Sequence, residues 1–115
     1  MAYDLRLADR IREYLSDFPG LQIEEKRMFR GLTFMINGKM CVSVSGDELM
    51  CRFDPALQEE VAERKGFRSM VMKGKEYKGY CYIESAGFKS KTDFNYWIDL
   101  CLDYNESAKS SKKRK

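Results

Sequence analysis

Cysteines and clustered basic residues are the side chains of this sequence with chemistry to offer, and their spacing decides which chemistry. The four cysteines stand at Cys41, Cys51, Cys81 and Cys101, and the chain has no histidine. None falls in a Cys-x-x-Cys pair, so a zinc centre would have to recruit four scattered thiolates, and no metal or other cofactor is expected. A cysteine nucleophile needs a base or a cation beside the sulfur. Cys41 across a hairpin from Arg52 is the pair to name, and a redox or enzymatic role there requires a thiol pKa well below the ~8.5 of free cysteine. Without histidine the usual general base is missing. Gly46 and Gly74 are lone turn glycines and do not make a phosphate loop. The chain reads as non-enzymatic, with all four cysteines reduced and acting as small hydrophobes.

The basic residues form two clusters. Lys26, Arg27 and Arg30 surround Phe29, where cations could grip phosphates and the ring could stack on a base. The plainer reading is a solvated strand edge, since charge there also discourages aggregation. Arg64, Lys65, Arg68, Lys73, Lys75 and Lys78 form the second cluster, offset only by Glu76. Just upstream, Asp47, Glu48, Asp54, Glu59, Glu60 and Glu63 are offset only by Arg52. Such polarity suits pairing with a protein, a head-to-tail self-contact or nucleic acid, and also simple charge balance within the fold.

At 115 residues, with 43% hydrophobic and 13% aromatic side chains, the chain suits one domain with a real core. No apolar run approaches the ~18 residues that span a bilayer. No basic-then-apolar leader opens the sequence, so a cytoplasmic location is expected. The net charge of +3 is unevenly placed: residues 107–115 carry +5, leaving −2 for the remainder. Residues 1–106 are read as the domain and 107–115 as a disordered basic tail.

The elements that must position these groups follow from periodicity. Leu5, Ala8, Ile11, Leu15 and Phe18 trace a helical stripe, with Asp4 as cap and Pro19-Gly20 as stop. A strand-rich block runs from Leu21 to Phe53, folded at Asn37-Gly38 and Gly46-Asp47. Asn37-Gly38 would pair Met35 with Met40 and Thr33 with Val42; the next turn would pair Val44 with Leu49 and Val42 with Cys51. Asp54-Pro55 starts a helix that buries Leu57 and Val61 and ends at Gly66. Two strands occupy residues 68–84, and a last helix begins at Ser90 with Asp93, burying Phe94, Trp97, Ile98, Cys101 and Leu102. The order helix, three or four strands, helix, two strands, helix implies an α+β fold: two layers, an antiparallel sheet with helices mainly on one face.

On that register Met35, Met40, Val42, Val44, Leu49, Cys51 and Phe53 face the helices. Leu32, Phe34 and Ile36 then lie on the opposite face with Cys41 and Met50, so Cys41 and Cys51 point to opposite faces and cannot form a disulfide. An apolar face left in water marks an interface, so Leu32, Phe34, Ile36 and Met50 are the candidate contact for a protein partner or a second copy.

Lys26, Arg27, Met28, Phe29, Gly31, Phe34, Asn37, Gly38 and Met40 resemble the start of the TfoX N-terminal domain, of the TfoX/Sxy family of bacterial competence regulators. That family typically shows a Lys/Arg-Met-Phe-Gly-Gly run, an apolar strand with Phe, then Asn-Gly and a Met; Arg30 replaces the first Gly of its pair. Asp47, Leu49, Met50 and Arg52 fit a following strand of the family, and Met72, Gly74, Gly79, Tyr80 and Tyr82 fit a later one. The resemblance implies the same two-layer fold, here as a stand-alone domain without the C-terminal helical domain of the longer regulators. It implies no catalytic residue or cofactor. The expected function is a regulatory or adaptor domain acting through protein–protein contact, in transcriptional or competence control, with a nucleic-acid-binding domain using residues 26–30 and 64–78 as the alternative. No membrane and no small molecule is expected as a partner.

Overall fold

The computed structural model describes residues 3–28 and 31–105. Helix α1 (Leu5–Leu15) starts where Asp4 Oδ1 accepts the N–H groups of Arg6 and Leu7 at 2.9 and 3.3 Å. It buries Leu7, Ala8, Ile11 and Leu15, whereas Leu5, expected on this stripe, is exposed. Four strands follow: β1 (Ile23–Met28), β2 (Gly31–Ile36), β3 (Lys39–Ser45) and β4 (Glu48–Arg52). Asp54 caps a short 3-10 turn (Pro55–Leu57) that runs into α2 (Gln58–Val61). Then come β5 (Phe67–Met72), β6 (Lys75–Ile83) and α3 (Lys91–Asn105), whose start is capped by Ser90 Oγ accepting the Asp93 N–H at 3.1 Å.

The six strands make one antiparallel sheet in the order β1-β2-β3-β4-β6-β5, giving the expected α+β architecture. The buried side chains of α1 and α3, with Val61 of α2, join one core on one side of the sheet. Trp97 anchors α3 there, its indole N–H donating to the Gly87 carbonyl at 3.0 Å. The C-terminal end is held by Asn105, which donates to the Ile36 carbonyl at 3.2 Å.

The face assignment of β2 is corrected. Asn37 and Gly38, at φ 53° and 82°, form the expected two-residue turn, and Ile36–Lys39 and Met35–Met40 pair as anticipated. The register then slips: Phe34 pairs with Val42 and Thr33 with Ser43. One extra residue in β3 puts Cys41 and Val42 on the same side. Leu32, Phe34 and Ile36 consequently lie under the helices, Phe34 with 0% exposure, and are not available as a contact surface. Met35 and Met40 instead turn to the opposite face. There they join Met50 and Met70, with Tyr80 and Tyr82 packed alongside, in a second buried cluster drawn entirely from strands. Among the candidate interface residues only Met50 faces away from the helices, and it too is buried.

Candidate functional site

The bulge turns Cys41 to the side of the sheet that holds the other three cysteines. Cys41 on β3, Cys51 on β4, Cys81 on β6 and Cys101 on α3 are all free and buried in the helix-side core. Cys51 is the direct cross-strand partner of Cys81. Cys41 and Cys51 both reach the sulfur of Cys101, which also accepts the backbone N–H of Arg52. The expectation that Cys41 and Cys51 point to opposite faces therefore fails. Contact with Cys101, reinforced by burial, pushes the Cys41 thiol far above its ordinary range, and the charge of Arg52 does not reverse this. Cys41 thus lacks the depressed pKa that nucleophilic chemistry at that residue requires. Burial opposes ionising Cys101, but the hydrogen bonds it accepts outweigh that and hold its thiol below the ordinary range. No group of three or more His, Cys, Asp or Glu among the described residues has an arrangement suited to a metal ion.

Of the first basic cluster, Lys26 and Arg27 are described. Lys26 pairs with Thr33 and Arg27 with Leu32, so the two cations project to opposite faces of β1. Phe29 and Arg30 lie outside the described residues, as does the basic tail. The second cluster is partly consumed by the fold. Arg64 lies over the Tyr96 ring at 3.6 Å, and Arg68 lies over Tyr82 while pairing with Glu48 and Glu84. Lys65 is exposed beyond α2. Lys26 and Arg27 on β1 stand at the opposite edge of the sheet from β5, five strand spacings or ~24 Å away.

Lys73, Lys75 and Lys78 remain, on the feature that stands out most from the surface. Residues 71–78 are exposed without interruption, at the end of the β5–β6 hairpin. Val71, Met72 and Tyr77 on this arm are 59%, 48% and 42% exposed, three of the five large apolar side chains left in water among the described residues. The arm turns at Lys73 and Gly74, both at positive φ (53° and 76°), a two-residue turn joining Met72 to its partner Lys75.

Gly79 is the reason the arm projects. The pairing of β5 with β6 shifts between Ser69 and Val71, and Gly79 sits in the extra stretch of β6 at φ 88°. A side chain at Gly79 would approach Pro55 Cγ to 2.9 Å and the Phe53 carbonyl oxygen to 3.0 Å. The Gly79 N–H donates to Gln58 Oε1 at 3.1 Å, and its carbonyl accepts the Phe53 N–H at 2.8 Å. Below the bulge, β6 pairs with β4; beyond it, β6 pairs with β5 alone. The single acid of the arm, Glu76, is turned toward the body, accepting from Ser69 Oγ at 2.8 Å and Gln58 Nε2 at 3.4 Å. Met72, Lys75 and Tyr77 lie on the opposite face of the ribbon, while Val71 and Lys78 share the face of Glu76 and are themselves exposed. Gly79 within an apolar strand pattern was the available signal for the bulge.

Two hollows of about 540 and 500 Å³ are lined mainly by charged side chains of α1 and of the start of α3, with Tyr14 and Phe94 in the second. Every buried side-chain nitrogen or oxygen among the described residues already has a hydrogen-bond partner. No described helix is long and apolar enough to cross a membrane.

Comparison with curated proteins and with solved structures finds no match. The family models do: residues 13–104, from the last turn of α1 almost to the end of α3, match the TfoX N-terminal domain, and the chain belongs to that family.

Proposed function

We propose that this protein is a regulatory or adaptor module that does no chemistry of its own and acts by contacting a protein through the β5–β6 arm, in transcriptional or competence control. Membership of a family of competence regulators supports the regulatory part. The contact part rests on one observation: Met72 and Tyr77 share one face of a fully exposed hairpin whose other face displays Val71. Exposed apolar groups gathered in one place mark interaction sites, whereas single ones are ordinary. A rim of lysines around such a patch matches an acidic surround on the partner and speeds encounter.

Lys73, Lys75 and Lys78 also support a second reading, nucleic-acid binding by the arm, because a two-stranded β-ribbon fits the major groove. Salt separates the two. Phosphate binding weakens steeply and linearly in log salt, while an apolar protein contact holds.

The test replaces the chromosomal copy with a Val71→Ser/Met72→Ser/Tyr77→Ser variant and compares transcripts with those of a deletion strain. The expected result is the deletion pattern from a protein present at wild-type level and melting at the wild-type temperature. Wild-type transcripts from that variant would remove the arm from the function.

A further inference from the structure

We propose that the partner strand at this site includes a second copy of the chain, joined to the first by antiparallel pairing of β5 with β5 about a twofold axis. The inference takes the arm as the contact element, as above, and names one occupant for it.

The two edges of the sheet are treated differently. Edge strand β1 reads Ile-Glu-Glu-Lys-Arg-Met, with four consecutive charges along its exposed length. Edge strand β5 reads Phe-Arg-Ser-Met-Val-Met and contains neither proline nor lysine. Its one charge, Arg68, leans over Tyr82 toward Glu48 and stays half exposed. Proteins protect edges with charge, proline or a cover, because an edge is a row of unpaired backbone donors and acceptors. β1 carries that protection at four consecutive positions, and β5 at Arg68 alone.

The backbone phase of β5 fits self-pairing. The Phe53–Gly79 hydrogen bond sets the alternation between β4 and β6, so Tyr82 turns its N–H and C=O toward β5 and bonds Arg68. Met72, flanking the two-residue turn, likewise bonds inward to Lys75. Ser69 and Val71 between them therefore present their N–H and C=O outward. Placing Met70 opposite its own copy sets Ser69 against Val71 of the second molecule, twice by symmetry, and each pairing can exchange two hydrogen bonds. The same register opposes Arg68 to Met72 and Phe67 to Lys73, so no like charges face each other. It also covers Val71, the most exposed of the large apolar residues described.

Light scattering on the full chain from micromolar to millimolar concentration tests this, alongside backbone amide exchange at Ser69 and Val71. The wild type should move from 13.5 kDa toward twice that mass, with both amides slowing in step. Val71→Pro removes an outward N–H and leaves the bonds to β6 intact, so it should stay at 13.5 kDa at every concentration. Val71→Lys supplies the missing edge charge and serves if the proline variant does not fold; it should also stay monomeric. A wild type that remains monomeric, or a dimer that persists in the folded variant, overturns the proposal. The first outcome leaves the edge to a strand of a different protein, and the contact function of the arm stands or falls by its own test.

Discussion

Phe34→Ala measures the bulge at Cys41 as an energy. With Phe34 fully buried among Leu32, Ile36 and Val42, truncation removes roughly 150 Å² of buried ring surface, or ~4 kcal/mol at ~25 cal/mol per Å². Core Phe→Ala changes run ~3–5 kcal/mol once the cavity is included. For a domain holding ~5–15 kcal/mol in all, ~4 kcal/mol is about a quarter or more of its stability. Urea unfolding followed by the fluorescence of Trp97, itself buried in the same core, reads the loss directly. Val71→Ala is the matched control: at 59% exposure it should shift stability by no more than about 0.5 kcal/mol. An unbulged hairpin would turn Phe34 away from the helices. A loss below about 1 kcal/mol in Phe34→Ala, with unchanged denaturant slope, would refute the bulged register.

Gly79→Ala should destabilise by about 2 kcal/mol or more, because it adds the left-handed penalty of ~1–2 kcal/mol to the close approach to Pro55 and Phe53; urea unfolding measures it. Tyr14 donates to Asp99 at 2.5 Å, and desolvation together with that bond pushes its pKa up to about 12. A raised phenol pKa favours the folded state below the unfolded value of about 10, and the benefit is lost as pH rises from there through about 12. Wild type should therefore exceed Tyr14→Phe by about 1 kcal/mol near neutral pH, a gap that closes in strong alkali in parallel urea melts. Buried as they are, the four thiols should react with an aromatic disulfide reagent only as fast as the domain opens, and at once in denaturant; rapid native labelling of Cys41 would contradict its placement.

Much of this fold was readable from local signals. Asp4, Asp54 and Ser90 announced three helix starts, and Asn37-Gly38 and Gly74 marked two tight turns, because capping and positive-φ geometry demand particular residue types. The faces of β2 were not readable. Cys41 and Val42 are consecutive small hydrophobes, so a strand with one extra residue and one without look equally apolar. That single slip exchanged the core face with the opposite one for Leu32, Phe34, Ile36, Met35 and Met40. It also hid the meeting of Cys41 with Cys51 and Cys101, which no spacing along the chain anticipates. The candidate site moved for a related reason. Lys73, Lys75 and Lys78 were picked out by charge, but their projection depends on the bulge at Gly79, and Val71, Met72 and Tyr77 looked like ordinary strand residues.

The most direct test of the arm as the contact element is a photo-activated cross-linking amino acid placed at Tyr77, and separately at exposed Glu13 on α1, in living cells. Contact through the arm yields a discrete protein adduct at position 77, a second copy included, and none at position 13. Nucleic acid captured at 77, or the same adducts at both positions, would contradict it.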